Sequence, residues 1–378
     1  MTDQSIVAET QDEALLEALL NLDDVERAAA RALDPSIFAF VASGSGDELT
    51  LHRNRAAFAD WCLLPRAFTD VSEVSTRTEV LGEMISMPVL VAPMGLQRIV
   101  HAEAECEMAR GVTRQDTIMC VSTVSTRSPA EIASTGVRRW YQLYPFRDDG
   151  LTRHLVDQAD EHGYGALVLT ADGAAIGRRE RPLRAGFAFG PEVTIPSCGE
   201  WFGSPAGADP VMLHGQMARS LTWDAVGELA ASSRLPLVVK GLLSPEDAHL
   251  ACEHGAAAIV VSNHGGRQLD GTPATLTALP GIVEAVGGRV EVLLDGGVRR
   301  GTDVLIALAL GAKAVLLGRP VYWALAIAGA DGVASVLAML RAEIELALTL
   351  LGCREPSEVS GKQVTAERAL RERAWEAR

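Results

Sequence analysis

The sequence predicts an α/β fold in which eight parallel strands and their connecting helices close into a (β/α)₈ TIM barrel. Eight short runs rich in Val, Ile and Leu lack polar alternation, as strands buried on both faces of a parallel sheet do. The intervals between the runs leave room for crossover helices, which parallel strands require. An open, doubly wound sheet is the alternative for the same pattern. The runs are PVLVAPMG (88–95), TIMCVST (117–123), RRWYQLY (138–144), ALVLTAD (166–172), LPLVVKG (235–241), AAIVVSN (257–263), EVLLDGG (291–297) and AVLLGRP (314–320).

The remaining elements follow in chain order. Residues 1–87 are predicted to be an N-terminal helical segment, because residues 11–33 carry apolar side chains at helical spacing among acidic ones. The segments AEAECEMARGV, SPAEIAS, SPEDAHLACEHG and TDVLIALALG are predicted to be crossover helices, and residues 321–352 a long helix. Since such strand–helix units form one barrel, we expect residues 1–378 to be a single domain.

An insertion, residues 186–222, separates the fourth run from the fifth. It is rich in Gly, Pro and Ser, and long loops in compact domains are usually functional or disordered. Its position after the fourth strand puts it at the mouth of the barrel, so we interpret it as a mobile lid over the site.

The composition narrows the class of protein. Hydrophobic residues make up 48% of the 378 residues and charged residues 22%, which is enough apolar material for a large core. The net charge of −15 disfavours nucleic acid and anionic membranes as partners. Without metal-ligand spacings, a signal peptide or a long uncharged apolar stretch, we expect a cytoplasmic protein that has no metal site and acts on a small molecule.

Polar side chains end nearly every predicted strand. Barrel enzymes place their sites at the carboxyl ends of the strands, so these side chains are the first candidates for chemistry. One such residue is usually a satisfied structural group, but packing alone hardly explains a polar residue at nearly every strand end. The candidates are Ser122, Gln142, Tyr144, Thr170, Asp172, Lys240, Ser262, Asn263, His264, Asp295, Gly318 and Arg319.

Two of these residues suit catalysis. Lys240 follows a buried run with no acidic residue in the next four positions, so it is either a surface lysine or a fixed cation that stabilises an anion formed during the reaction. His264 precedes two glycines that allow a ligand to approach closely. An imidazole suits a general base, with Asp172 to orient it; the alternative is a core histidine bonded to a backbone carbonyl.

Arginine and glycine residues suggest two anion sites. Arg179 and Arg267 are candidate clamps for a carboxylate, because a guanidinium binds it in a bidentate fork; ordinary surface arginines are the alternative. The loops after the last two runs combine glycines, whose N–H groups can face an anion, with arginines, as in barrel phosphate sites. The phosphate candidates are Gly296, Gly297, Gly318, Arg299 and Arg319.

Together these motifs resemble the FMN-dependent L-2-hydroxy acid oxidase and dehydrogenase family, which includes glycolate oxidase, lactate oxidase, mandelate dehydrogenase and hydroxymandelate oxidase. The resemblance covers residues 35–354, and SNHGGRQLD (262–270) and DGGVRRGTD (295–303) are its most specific motifs. It implies an FMN-binding barrel and a homo-oligomer, commonly a tetramer.

The resemblance also implies roles for individual residues. His264 would be the base, Asp172 its partner, Tyr144 a hydrogen-bonding group at the substrate oxygen, and Arg179 with Arg267 the carboxylate site. Lys240 would bind the flavin and also stabilise its reduced form. The other implied cofactor residues are Pro93, Met94, Gly95, Ser122, Gln142, Thr170, Ser262, Asp295, Gly296, Gly297, Arg299, Gly318 and Arg319.

The implied reaction is oxidation of an L-2-hydroxy acid to the 2-oxo acid. His264 would take the hydroxyl proton as hydride moves from C2 to flavin N5, or the C2 proton in a carbanion route, and the sequence does not choose between them. Lys240 would stabilise negative charge on the reduced flavin. This reaction also imposes a geometric requirement, because the bound substrate must lie between the base and the flavin that accepts the electrons.

Three positions depart from the family pattern. Phe40 stands where many members have a tyrosine that bonds the substrate carboxylate, which predicts a different or larger substrate, such as an aryl acid. Asp172 is followed by Gly173–Ala175 in place of a bulkier segment, which should widen that wall. Gly95 stands where typical oxidases carry alanine, so rapid reaction with oxygen does not follow from the resemblance.

Three other functions remain open from the sequence. The first is flavin-dependent oxidation of an amine or a carboxylate-free alcohol in a specialised biosynthetic pathway, which Phe40 favours and the two arginines oppose. The second is a non-catalytic barrel that binds flavin or phosphate, against which His264, Asp172 and Lys240 argue. The third is a phosphate-binding barrel without flavin, such as an aldolase.

Overall fold

The barrel is closed. The computed structural model describes residues 14–204 and 206–370. Eight parallel strands pair in the order β7-β8-β1-β2-β3-β4-β5-β6 and back to β7, which confirms the predicted barrel in place of an open sheet. The strands are β1 Val89–Val91, β2 Ile118–Ser122, β3 Arg138–Leu143, β4 Leu167–Thr170, β5 Leu237–Leu242, β6 Ala258–Val261, β7 Glu291–Asp295 and β8 Ala314–Leu317.

A helix follows each strand. Polar residues directly before several helices accept hydrogen bonds from first-turn N–H groups: Ser128 caps α2 with Glu131 in a capping box, and Ser244 caps α5. The helices are α1 Ala104–Arg114, α2 Pro129–Ser134, α3 Asp149–Glu161, α4 Trp223–Ser232, α5 Pro245–Glu253, α6 Thr275–Val286, α7 Gly301–Ala309 and α8 Arg319–Leu351.

Helix α8 is long and apolar enough in composition to cross a membrane, but 61% of its most apolar window is buried in the protein. It breaks at Ala328–Gly329, where the backbone leaves the helical region, and it packs mainly on α1, α7 and the N-terminal helix Leu22–Ala32. Its apolar character is therefore explained by packing on the barrel.

The strands bury both faces. Residues such as Leu90, Cys120 and Val260 point into the barrel, whereas their neighbours point outward against the helices. Trp140 fills the interior, and its indole N–H donates to Glu83 Oε1 at 3.1 Å. This two-sided burial is the reason that the runs carry no polar alternation.

The N-terminal segment is only partly helical. Residues 14–18 are helical, and helices Leu22–Ala32, Pro35–Ala42 and Leu49–Ala56 follow; residues 11–13 of the predicted helix lie outside the described residues. The rest of the segment contains short strands, so the expectation of a helical segment to residue 87 is too broad. The strands are Trp61–Leu63, which pairs with Val364–Ala366, and the hairpin Thr78–Val80 with Glu83–Ile85.

The insertion 186–222 lies at the predicted place, at the mouth of the barrel after β4. Its described residues include the short helix Pro210–His214 and a bridge between Ile195 and Ala208. Trp201 anchors it to the β3–α3 connection by donating to Asp148 Oδ2 at 3.1 Å. Ile195 and Ala208 are buried, whereas Trp201 is 41% exposed, and the mobility of the lid stays a prediction.

Candidate active site

One cavity of about 520 Å³ opens at the carboxyl ends of the strands. Enzymes with a (β/α)₈ barrel carry their active sites at this end of the barrel. Most of the predicted site residues line it, which brings together residues that follow or end all eight strands and one from the N-terminal segment. The predicted residues in its wall are Phe40, Pro93, Met94, Gly95, Ser122, Tyr144, Arg179, Lys240, His264, Arg267, Asp295, Gly296, Gly297, Arg299, Gly318 and Arg319.

Asp172 lies directly behind His264. Nδ1 of His264 is 3.0 Å from Asp172 Oδ1, so a neutral ring donates from Nδ1 and keeps Nε2 unprotonated. Burial acts to raise the pKa of Asp172, but the nearby His264 and Lys240 outweigh it and hold the pKa below its ordinary value of 3.8. The carboxylate therefore stays charged and can stabilise a protonated imidazole.

The backbone around His264 is fixed from several sides. His264 adopts a left-handed conformation, with φ of 59°, which is uncommon outside glycine. Its N–H donates to Ser262 Oγ at 3.0 Å, and Gly266 N–H donates to Asn263 Oδ1 at 3.1 Å. The amide of Asn263 exchanges two 2.8 Å hydrogen bonds with that of Asn54, a buried residue of the N-terminal segment that the sequence analysis missed.

Lys240 forms a buried ion pair. Its Nζ lies 2.9 Å from Asp295 Oδ2 and donates to Ser262 Oγ at 2.8 Å, and only 3% of the residue is exposed. Burial acts to lower the pKa of Lys240, but Asp295 and Asp172 raise it more, so the ammonium is retained. The interpretation of Lys240 as a surface lysine is therefore wrong, because a residue distant in sequence supplies its partner.

The phenol of Tyr144 stays protonated and can donate a hydrogen bond. Burial, and then the charge of Asp172, raise the pKa of its phenol to about 12. The hydroxyl therefore keeps its proton throughout the neutral range and faces the same cavity as His264.

Two of the predicted anion-binding arginines are tied to backbone carbonyls. Arg267 Nη1 donates to Val41 O at 3.0 Å and to Ser43 O at 2.8 Å. Arg319 donates to the same two carbonyls and to Gly265 O. Burial lowers the pKa of both guanidinium groups, and each also lies near Arg179. Because N–H groups of Arg319 already donate to these backbone carbonyls, the contact of Arg319 with a phosphate stays a prediction.

Arg179 and Arg267 together give the cavity unmatched positive charge. Arg179 donates from Nε to Arg267 O at 3.5 Å, and burial lowers its pKa. Within residues 14–204 and 206–370, neither guanidinium has a salt bridge to a carboxylate. An anion that enters the cavity would therefore find two partly buried cations.

The loops after β7 and β8 fit a phosphorylated cofactor. A Cβ at Gly297, whose φ is +86°, would lie 2.0 Å from Asn54 O, so only glycine permits this turn. Arg299 stacks on Trp323 at 5.2 Å, and its buried Nε has no hydrogen-bond partner among the described residues. Asp295 Oδ1 is likewise buried and unpartnered there, so it can accept from a hydroxyl. These groups match a phosphate and a polyol chain, which are both present in FMN.

Small residues and a side-chain amide lie at the ends of β1 to β4. A Cβ on Gly95 would lie 2.4 Å from Val124 Cγ2, so the loop approaches β2 closely. Ser122 Oγ donates to Gln142 Oε1 at 2.9 Å, and Gln142 Nε2 donates to Thr170 Oγ1 at 2.8 Å. Gln142, Thr170 and Ser262 lie behind the lining residues, so their contact with the cofactor stays a prediction.

The lid adds residues that the sequence analysis missed. Phe187 stacks on Phe40 with ring centroids 4.4 Å apart, and Phe189 meets both rings edge to face. The guanidinium carbon of Arg267 lies over the Phe40 ring, 5.5 Å from its centroid. His214 lines the same cavity. The only sequence signal was the pair of aromatic residues in the Gly-rich stretch GFAFG.

A closed barrel that gathers a His–Asp pair, a buried ammonium and two guanidinium groups at one cavity fits a flavin-dependent oxidoreductase. The family model of FMN-dependent dehydrogenases matches residues 29–366. L-lactate oxidase of Nostoc sp. is 44% identical over 351 residues, which cover 90% of this chain and 96% of that protein. Glycolate oxidase of Spinacia oleracea is 42% identical over 355 residues, which cover 92% and 96%.

A crystal structure of mandelate oxidase superposes with a TM-score of 0.86 at 41% identity, covering 93% of this chain and 99% of that one. A second, with benzoyl-formic acid, gives a TM-score of 0.85 at the same identity and coverage. The chain belongs to the FMN-dependent dehydrogenase family, as the motifs predicted. It is therefore an oxidoreductase that uses FMN, which excludes the non-catalytic barrel and the flavin-free aldolase.

Proposed function

We propose that this protein oxidises an L-2-hydroxy acid with an aryl or otherwise bulky side chain to the corresponding 2-oxo acid. The observation that carries the proposal is that His264, whose Nδ1 is held by Asp172, lines the same cavity as Arg179 and Arg267. A 2-hydroxy acid offers a hydroxyl to the imidazole and a carboxylate to the guanidinium groups. Bidentate pairing with arginine then fixes the orientation of C2.

FMN binds along the wall formed by the β7 and β8 loops in this proposal. Gly297 and Arg299 hold its phosphate end, Asp295 its polyol chain, and Lys240 with Ser122 its ring. When bound, FMN supplies the acceptor for the two electrons that leave C2. The buried ammonium of Lys240 places a fixed positive charge beside that acceptor.

His264 removes the proton of the substrate. Because Nδ1 is held by Asp172, Nε2 accepts the C2 hydroxyl proton while the C2–H bond breaks. Asp172 keeps the ring oriented and stabilises the imidazolium that results. The phenol of Tyr144, which keeps its proton, donates to the substrate oxygen.

The aromatic wall supports a bulky substrate. Phe40 has no hydroxyl for the carboxylate and instead packs with Phe187 and Phe189, which makes this side of the cavity apolar. Relatives include lactate, glycolate and mandelate oxidases, and of these three acids mandelate carries the aryl group that an aromatic wall favours. An amine or a carboxylate-free alcohol would leave Arg179 and Arg267 without an anion.

Anaerobic mixing of the FMN-loaded protein with (S)-mandelate, lactate and glycolate tests the proposal. We expect the flavin absorbance to bleach with all three acids and fastest with (S)-mandelate. Failure of every hydroxy acid to bleach the flavin would contradict the reaction, whereas fastest bleaching by glycolate would contradict the aryl preference alone.

A further inference from the structure

The N-terminal helix Leu22–Ala32 lies beside the loop assigned to the phosphate of FMN. Its first two turns carry Asp23 and Glu26, which are three residues apart and therefore share one face of the helix. Both approach Arg299, the arginine after β7 that stacks on Trp323 and lines the cavity. The helix thus brings two negative charges to the place where the proposed function puts the anionic end of the cofactor.

Both carboxylates lie close to Arg299 without forming a hydrogen bond to it. Glu26 Oε2 is 3.7 Å from Nη2 of Arg299, and Asp23 Oδ1 is 3.7 Å from its Nε. These distances suit ion pairs but exceed those of hydrogen bonds. The buried Nε has no hydrogen-bond partner among the described residues. Arg299 therefore keeps a donor for a phosphate, although part of its charge is already balanced.

The two carboxylates differ in what else they bind. Asp23 accepts two hydrogen bonds from Arg55 Nη2, at 2.8 and 2.9 Å, so most of its charge is met there. Among the described residues, Glu26 has no other ion pair and accepts no hydrogen bond. Burial lowers the pKa of Arg299, and Glu26 is the strongest of the charges that act to raise it. Glu26 is therefore the main counter-ion of Arg299.

We propose that Glu26 opposes the phosphate of FMN at Arg299 and thereby sets how tightly the protein holds its cofactor. A phosphate monoester carries a charge of about −1.5 to −2 at pH 7. When it contacts Arg299 it comes close to Glu26, and the two negative groups repel each other. The inference rests on the proposed function, which places the phosphate beside Arg299.

Riboflavin, which is FMN without the phosphate, isolates this repulsion. The measurement is the Kd of FMN and of riboflavin for the full chain freed of its flavin, with free and bound flavin separated by ultrafiltration. We expect Glu26→Gln to bind FMN about tenfold more tightly than the wild type does and to bind riboflavin equally well. The gain should shrink at high salt, because the Glu26 side chain is 30% exposed and its field is screened.

Two further variants serve as controls. Asp24→Asn removes a charge from the first turn of the same helix, but Asp24 pairs with Arg27 and not with Arg299. It should leave both dissociation constants unchanged, which controls for the interaction of an acid with the helix dipole. Arg299→Gln tests the premise and should weaken FMN binding at least about tenfold without affecting riboflavin. Far-UV circular dichroism of each variant reports on folding.

The outcomes distinguish this inference from the function on which it rests. Unchanged or weaker FMN binding by Glu26→Gln overturns the role of Glu26, as does a gain that riboflavin shares or that high salt leaves intact. An Arg299→Gln variant that binds FMN as tightly as the wild type overturns the placement of the phosphate and this inference with it. If Glu26→Gln does not fold, Asp23→Asn decides the question, because it should tighten FMN binding in the same way.

Discussion

The inner and outer halves of the cavity are built differently. The inner half consists of strand ends, where buried pairs such as Lys240–Asp295 and His264–Asp172 are fixed by neighbouring strands. The outer half consists of the lid, which exposes Val211 and holds its aromatic rings by contacts with one another. The inner half thus suits chemistry that requires fixed geometry, and the outer half suits selection of a side chain, as in barrels whose loops vary.

Replacing His264 should have the largest effect on the inner half. His264→Ala removes the group that accepts the hydroxyl proton, and a general base contributes about 10²–10⁴-fold in rate. We expect anaerobic flavin reduction to slow by that factor with every hydroxy acid, while FMN still binds. His249→Ala is the matched control. Reduction at the wild-type rate would refute the assignment of the base.

Replacing Lys240 should cost stability as well as activity. Lys240→Met leaves Asp295 buried and without its cation, and breaking such a pair costs about 3–5 kcal/mol. We expect the free energy of unfolding in urea to fall by that amount and FMN to dissociate more readily. The double variant Lys240→Met/Asp295→Asn should recover part of the stability; a single variant as stable as the wild type would contradict the pairing.

Asp172 gives the inner half a defined pH dependence. Its folded pKa lies below 3.8, so its charged form stabilises the native state at neutral pH, and this contribution is lost as the pH falls through the lowered value. Asp172→Asn should therefore reduce the free energy of unfolding by about 1.5–3 kcal/mol at pH 7. The difference from the wild type should disappear at the acid end of a urea series from pH 7 to pH 3. A difference in the free energy of unfolding that grows as the pH falls would contradict the stabilising role of the Asp172 charge.

The smallest effect is expected in the outer half. Phe187→Ala removes a ring that stacks on Phe40, and aromatic pairs contribute about 0.5–1.5 kcal/mol beyond their buried area. We expect KM for (S)-mandelate to rise several-fold, with less change for lactate. Phe68→Ala, at a fully exposed position, is the control and should leave both values unchanged. Equal losses for the two acids would show that Phe187 does not select the side chain.

The inner half was predictable from the sequence, and the outer half mostly was not. Two-sided burial of parallel strands leaves an apolar run followed by a polar residue, a local pattern that located Lys240, His264 and Asp295. Contacts between distant segments leave no such pattern in the sequence. The Asn54–Asn263 pair and the position of His214 in the cavity wall could therefore be recognised only in the folded structure. The hairpin at residues 78–85 was missed because its two-residue turn, Leu81–Gly82, lacks the usual Asn-Gly or Asp-Gly signal.

The division between the two halves is tested most directly by kcat/KM for lactate and (S)-mandelate, measured side by side on His264→Ala and Phe187→Ala. The account predicts that His264→Ala lowers both values by the same large factor and leaves their ratio unchanged, whereas Phe187→Ala shifts the ratio toward lactate. A changed ratio in His264→Ala, together with an unchanged ratio in Phe187→Ala, would contradict it.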